Sequence, residues 1–253
     1  MKRGPGSSAV RPERSRRKAA EARDEPGLRA VLVETCRRLH ARDLIGAGEG
    51  NVSVRLGPGR FLVTPSGANK GYLKPADLVV VDDAGQVVKG PKGARASTEL
   101  RMHLAAYAAR PDVEAVVHAH PITAVALTVA RMPPYAPSVA DAKQRRRRGA
   151  GDLVPEAAVT LGPVAVARFA TPGTDEVPAS LAPFWAGHEV LLLERHGALA
   201  LGRTLSEAFD RMETLERVAR IALVARLAGS CEPLAPDVVD RVLVAAGKPP
   251  RRR

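Results

Sequence analysis

His118 and His120 flank a single alanine at the end of an apolar run, Val113-Glu114-Ala115-Val116-Val117. The run reads as a β-strand, and residues two apart on a strand share a face, so both imidazoles can reach one ion. A third imidazole, His196 in Arg195-His196-Gly197, follows another apolar strand pattern, Val190-Leu191-Leu192-Leu193, and Gly197 permits close backbone approach there. Glu99, in Ser97-Thr98-Glu99, sits at the start of a predicted helix. Three imidazoles with an open position and a nearby carboxylate are what a catalytic divalent-metal site needs. Each group also has a purely structural reading. Strand-end histidines can be satisfied by backbone groups, His196 can be a turn residue, and Ser97 or Thr98 can cap a helix whose first-turn acid is Glu99. His103, four residues after Glu99, shares its helical face. His40 and His188 read as ordinary surface or interface residues.

Three further clusters, Gly48-Glu49-Gly50-Asn51, Thr64-Pro65-Ser66-Gly67 and Ser97-Thr98, offer backbone N–H groups, hydroxyls or an amide suited to a phosphate. Turn formation is the readier explanation of any one of them taken alone. The first is not a dinucleotide fingerprint, because its spacing is wrong and a helix precedes it.

The elements that must position these groups are a mixture of helices and hairpins. Leu28, Val31, Leu32, Cys36 and Leu39 recur at helical spacing in a helix ending near Asp43. Asn51–Arg55 and Arg60–Val63 alternate as the arms of a hairpin around Gly57-Pro58-Gly59, and Asp77–Val81 and Gln86–Val88 form a second pair. Helices are predicted from Ser97/Thr98 to Arg110, from Ile122 to Ala130, from Thr204 to Gly229 behind the capping box Thr204-Leu205-Ser206-Glu207, and over Pro236–Ala246. Remaining strands fall near 158–161, 164–168, 189–193 and 197–201. This pattern predicts an α/β domain with a largely antiparallel sheet flanked by helices.

The chain has 253 residues, 45% of them apolar, enough for one sizeable core over residues 25–246. No apolar run reaches membrane-spanning length, and the basic N-terminus lacks the apolar stretch of a secretory signal. Cys36 and Cys231 have neither metal-site nor redox spacing, which fits a reducing cytoplasm. The formal charge of +12 is carried by residues 1–24 (+5), the run at 143–148 (+5) and residues 248–253 (+4), leaving about −2 for the rest. Basicity therefore belongs to a disordered tail at 1–24, an arginine-rich insertion at about 138–152 and a short tail at 247–253. With aromatics at only 3%, a specific nucleic-acid surface is not expected.

Taken together, Gly50-Asn51-Val52-Ser53-Val54-Arg55, Thr64-Pro65-Ser66-Gly67, Ser97-Thr98-Glu99, His118-Ala119-His120-Pro121, Phe169-Ala170-Thr171-Pro172-Gly173-Thr174 and Arg195-His196-Gly197 occur in the order of the class II aldolase/adducin family. The resemblance spans roughly residues 27–230. It implies a three-layer α/β/α fold around a mainly antiparallel sheet, usually assembled as a homotetramer. It also implies one divalent ion per chain, zinc foremost, held by His118, His120 and His196, with Glu99 approaching it in the resting state.

The implied reaction is reversible aldol cleavage of a phosphorylated ketose through an enediolate that the metal stabilises. Glu99 would be its acid/base, and Gly50, Asn51, Ser66, Gly67, Ser97 and Thr98 would hold the phosphate. Tyr135 lies where the sugar-phosphate aldolases of the family place the tyrosine that protonates the leaving aldehyde's oxygen, although the arginine-rich insertion follows it here. The same metal site also suits epimerisation, dehydration of a methylthioribulose-phosphate type, or decarboxylation of a related acid; the loop Ser66–Gly71 somewhat resembles the dehydratase version. A non-catalytic, adducin-like scaffold typically lacks the metal histidines that this chain retains.

Overall fold

Strands that are apolar at every position require cover on both faces, and the alternation of this chain's strands sorts into two such covers. The computed structural model describes residues 24–132, 135 and 149–251; the basic stretch 1–23, the arginines 145–148 and residues 252–253 lie outside them. Eight strands in the described residues form one sheet: β1 (Asn51–Gly57), β2 (Arg60–Val63), β3 (Val79–Val81), β4 (Val87–Lys89), β5 (Ala115–Ala119), β6 (Val164–Ala167), β7 (Val190–Leu193) and β8 (Gly197–Gly202). Their spatial order is β4-β3-β2-β1-β5-β8-β7-β6. Every neighbouring pair is antiparallel except β6 and β7.

One face, carrying Val52, Val54, Leu62, Val80, Ala115, Val117, Leu192 and Ala200, packs on α1 (Glu25–Ala41), α3 (Ile122–Val129), α4 (Pro155–Thr160) and α6 (Leu205–Leu227). The opposite parity, Phe61, Val63, Val79, Val81, Val116, Leu191, Leu193, Leu199 and Leu201, packs on α2 (Leu100–Ala109) and α5 (Glu176–Leu181). The result is the expected three-layer α/β/α arrangement with a mainly antiparallel sheet. A final helix, α7 (Pro236–Ala245), covers α4 through Val239 and Leu243.

The helix ends follow local chemistry. Asp24 caps α1 by accepting from the Gly27 N–H, and Thr204 caps α6 by accepting from the Glu207 N–H at 3.1 Å. Glu207 reaches back to the Arg203 N–H, one residue before the usual capping-box partner. Residues 158–161, expected as a strand, end α4 instead. Pro155 occupies the first turn, where its missing N–H costs nothing, and Glu156 and two alanines continue it as a helix. Asp77, expected in a strand, closes a one-turn helix at Pro75–Asp77, and β3 begins at Val79.

Residues 149–152, expected within the arginine-rich insertion, include a buried turn at Ala150–Asp152, where Asp152 accepts from the Leu234 N–H and pairs with Arg251. The start of the C-terminal tail is therefore tied to the body.

Glu216, buried on α6, holds the first turn of α3: its carboxylate accepts from the Thr123 and Ala124 N–H groups and the Thr123 hydroxyl, and pairs with Arg220 at 2.9 Å. Four donors on one carboxylate make it the main tie between these helices. Glu216→Ala should cost about 3 kcal/mol of stability, read as a lower urea midpoint at unchanged slope.

Candidate metal centre and anion cradle

Strand β5 lies between β1 and β8, and its register places His118 opposite Asn51 on one side and Leu199 on the other. His118 points to the α2 side of the sheet and is fully buried. Its Nδ1 donates to the Ala198 carbonyl at 2.9 Å, which leaves Nε2 without a proton and aimed at His120 Nε2, 3.0 Å away. His120 is fixed by its own N–H, which donates to the Leu44 carbonyl.

His196 arrives on the turn between β7 and β8. There Arg195 holds a left-handed φ of 60°, tied by its N–H to the Thr128 hydroxyl at 2.9 Å. Gly197 makes the approach possible, because a Cβ there would lie 2.6 Å from the Ala119 carbonyl and under 3 Å from both the His118 and His120 rings. The three ring centroids form a near-equilateral triangle with sides of 4.9, 5.0 and 5.2 Å.

Glu99 is the residue that precedes α2, but its side chain makes no capping bond. It turns into the site, 2.8 Å from His196 Nε2 and 3.5 Å from His118 Nε2, and accepts from the Asn51 amide at 2.9 Å. The helix-start role falls to Ser97, whose hydroxyl accepts from the Glu99 N–H. One donor atom each from Glu99, His118, His120 and His196 all lie within 4.8 Å of one another.

The electrostatics suit a cation. Burial holds the pKa of His118 well below the usual imidazole value, and burial followed by the charge of His196 lowers that of His120. Burial would raise the Glu99 carboxyl, but the hydrogen bond with His196, the neighbouring His118 and His196 rings and the Asn51 amide outweigh it and hold Glu99 well below the carboxylate range. Three imidazoles converging beside an ionised carboxylate fit a divalent ion, with zinc among the metals such donors accept. The buried Nδ1 of His196 has no hydrogen-bond partner among the described residues, so its ring is oriented through Nε2 by the Glu99 carboxylate.

Two cavities meet at this cluster. A polar one of about 280 Å³ is lined by Gly50, Asn51, Ser66, Gly67, Ser97 and Thr98, together with Glu49, Lys70, Glu99, His120 and Gly173. All six phosphate-cradle candidates thus share one wall. The other, about 550 Å³, is lined by Ile45, Ile122, Val125 and Ala126 as well as Asp43, Glu49, His120 and His196.

Tyr135 lines neither cavity. Its N–H continues the turn from Met132, and its ring enters the core on the α6 side, where burial raises the pKa of a hydroxyl with no hydrogen-bond partner among the described residues. Lys70 and Glu49 lie within stretches the sequence points to, Ser66–Gly71 and Gly48–Asn51, but nothing there singles them out, since a single lysine after Asn69 and a glutamate in a glycine-rich turn carry no spacing signal. His103 is not in the cluster; its Nδ1 meets the Ser53 hydroxyl at 2.7 Å, which also meets Tyr107.

Imidazoles and a carboxylate that could hold a metal converge at the ends of sheet strands, next to a polar cavity, in an α/β fold. Residues 30–223 match the family model described as Class II Aldolase and Adducin N-terminal domain, and the chain belongs to that family. The chain is 33% identical over 218 residues to the 5-methylthioribulose-1-phosphate/5-deoxyribulose-1-phosphate aldolase of Rhodospirillum rubrum, covering 85% of this chain and 89% of that one. It is 29% identical over 203 residues to the 3-oxo-tetronate 4-phosphate decarboxylase of Escherichia coli K12, covering 80% and 89%. The crystal structure of L-fuculose-1-phosphate aldolase from Thermus thermophilus superposes with a TM-score of 0.65 at 35% identity, covering 82% of this chain and 98% of that one. No helix among the described residues is long and apolar enough to cross a membrane.

Gly197→Ala should fold yet hold zinc about 10- to 100-fold more weakly, measured by competition with a chromogenic chelator; unchanged affinity would show that the rings tolerate the added methyl. His103, with its pKa depressed by burial to about 3, binds a proton in the unfolded chain near pH 6.5 but not in the folded one. Stability should therefore be full above that pH and fall as pH drops from there towards 3. His103→Gln should flatten the slope of unfolding free energy against pH between 6.5 and 5.

Proposed function

We propose that the protein is a divalent-metal-dependent aldolase that reversibly cleaves a ketose 1-phosphate. The observation that carries this reading is the meeting of His118, His120, His196 and Glu99 at the mouth of the cradle formed by Gly50, Asn51, Ser66, Gly67, Ser97 and Thr98. His118, His120 and His196 would hold the ion, with Glu99 next to it in the resting state. When bound, a divalent ion supplies Lewis acidity at the ketose carbonyl and the hydroxyl beside it.

In the cleavage direction Glu99 takes up the proton that the hydroxyl on the fourth carbon loses and delivers it to the third carbon, next to the carbonyl, once the carbon–carbon bond has broken; in the condensing direction it removes that proton and returns it to the new hydroxyl. The cradle fixes the phosphate end, and hence the carbonyl, relative to Glu99. Cleavage of a ketose 1-phosphate between the third and fourth carbons leaves dihydroxyacetone phosphate in the cradle and releases an aldehyde.

The aldehyde portion would lie in the second cavity, whose Ile45, Ile122, Val125 and Ala126 suit an apolar chain end. The names of the ribulose-phosphate relative, deoxy and methylthio sugars, agree with that chemistry. A second reading, decarboxylation of a phosphorylated 3-oxo acid on the same residues, draws support from the decarboxylase relative and from the burial of Tyr135 away from the cluster. Decarboxylation needs no phenol to protonate an aldehyde oxygen. For assembly we propose a homotetramer.

The wild type reconstituted with zinc should carry about one ion per chain and release dihydroxyacetone phosphate from 5-deoxyribulose 1-phosphate faster than from ribulose 1-phosphate. Glu99→Gln should retain the ion and lose turnover by about three orders of magnitude. His118→Ala/His120→Ala should lose both. Turnover of a 3-oxo acid phosphate alone would favour the second reading, and wild-type turnover by Glu99→Gln would remove Glu99 from its role.

A further inference from the structure

Lys70 is an ammonium buried almost as deeply as the core. It sits in a single helical turn, Lys70–Tyr72, that Asn69 caps by accepting from the Gly71 N–H. This turn lies against α1 so closely that a Cβ on Gly71 would strike the His40 ring at 2.5 Å. Lys70 itself is only 2% exposed. Its Nζ donates to the Gly48 carbonyl at 2.6 Å. That is the hydrogen bond it makes among the described residues, and no carboxylate there forms an ion pair with it. A buried ammonium has three donors and is costly to leave with one acceptor and no carboxylate in contact, the Glu99 charge favouring it only from beyond ion-pair distance.

Lys70 lines the polar cavity beside Asn51, Ser66, Gly67, Ser97 and Thr98. Those five neighbours are uncharged. Of the ionisable side chains on that wall, Glu49 and Glu99 repel an anion, and Lys70 is the single lysine or arginine among the described residues lining it. A phosphate dianion placed there by neutral donors alone would face two carboxylates without a fixed positive charge on its own side of the cavity.

We infer that Lys70 is a substrate-binding and specificity-determining residue: its ammonium bridges the Gly48 carbonyl and a phosphate oxygen, and so selects phosphorylated over free sugars. The bridge has two effects. It supplies the counter-charge, and it fixes the Gly46–Gly50 turn, which presents Gly50 to the phosphate and Glu49 to His120, on which Glu49 Oε1 closes to 3.8 Å. The inference rests on the phosphorylated-substrate reading above.

The test is calorimetric titration of the zinc-loaded full chain with dihydroxyacetone phosphate, with dihydroxyacetone and with inorganic phosphate. Lys70→Met, which keeps the stem and removes the charge, should weaken both phosphate-bearing ligands by about 10- to 100-fold. Zinc stoichiometry and dihydroxyacetone binding should stay as in the wild type, and in turnover KM should rise more than kcat falls. Wild-type phosphate affinity in folded, zinc-loaded Lys70→Met would overturn the inference and leave Lys70 as a structural tie to Gly48.

A wild type that holds zinc but binds neither phosphate-bearing ligand would sink the phosphorylated-substrate reading, and this inference with it. If Lys70→Met does not fold, the wild type labelled with ¹⁵N-lysine decides the matter. Inorganic phosphate should shift one Nζ resonance, the one missing from Lys70→Arg, and no shift of it would overturn the inference.

Discussion

A single hydrogen bond, from His118 Nδ1 to the Ala198 carbonyl, sets the chemistry of the whole centre. His118 lies on the middle strand of a sheet covered on both faces, where a charged imidazole is disfavoured and an unpaired ring nitrogen is costly. Giving the Nδ1 proton to a carbonyl of β8 resolves both demands: the ring stays neutral and its bare Nε2 faces the other two imidazoles. The partner carbonyl belongs to the residue after Gly197, so the glycine that lets β8 approach also lets the bond form. Remove that approach and the strands, the tautomer and the His196 turn all lose their common reference.

A second layer of anchors acts through the backbone. Leu44 holds the His120 N–H, Thr128 holds the strained turn at Arg195, and Glu216 pins the helix that begins just after His120. These contacts come from three separate helices or their flanking loops. The candidate ligands themselves thus need no freedom to adjust, which is what a preorganised metal site would require.

The period-2 spacing of His118 and His120 and the apolar runs around them were legible because a buried strand leaves few alternatives. The order of motifs, from Gly50-Asn51 to Arg195-His196-Gly197, located the family. What sequence left hidden were the contacts that depend on folding at long range. Nothing at Glu216 distinguishes it from any helix-surface acid until α3 is packed against it, and Lys70 looks like a solvated lysine until its turn meets α1.

Residues 158–161 misled for the opposite reason: Val159 and Thr160 favour a strand locally, but the helix start set by Pro155 won. The triplet Ser97-Thr98-Glu99 carried both of its readings truthfully, with Ser97 serving the backbone and Glu99 serving the site. Net charge was informative mainly in its location. The arginine-rich segments account for the basicity, and the body they leave is close to neutral.

The pairing of β5 with β8 has a consequence for the order of events during synthesis. His118 and His120 leave the ribosome some eighty residues before His196, and their strand can already pair with β1, but the third imidazole is still unmade. Domains acquire structure from the N-terminus as they emerge, and a contact that closes so long a loop forms late. The four candidate ligands can therefore come together only once β8 has been threaded beside β5, so an ion held by all of them would report completion of the chain. A truncated or stalled product ending before Gly197 would have the first pair of histidines and no site to offer them.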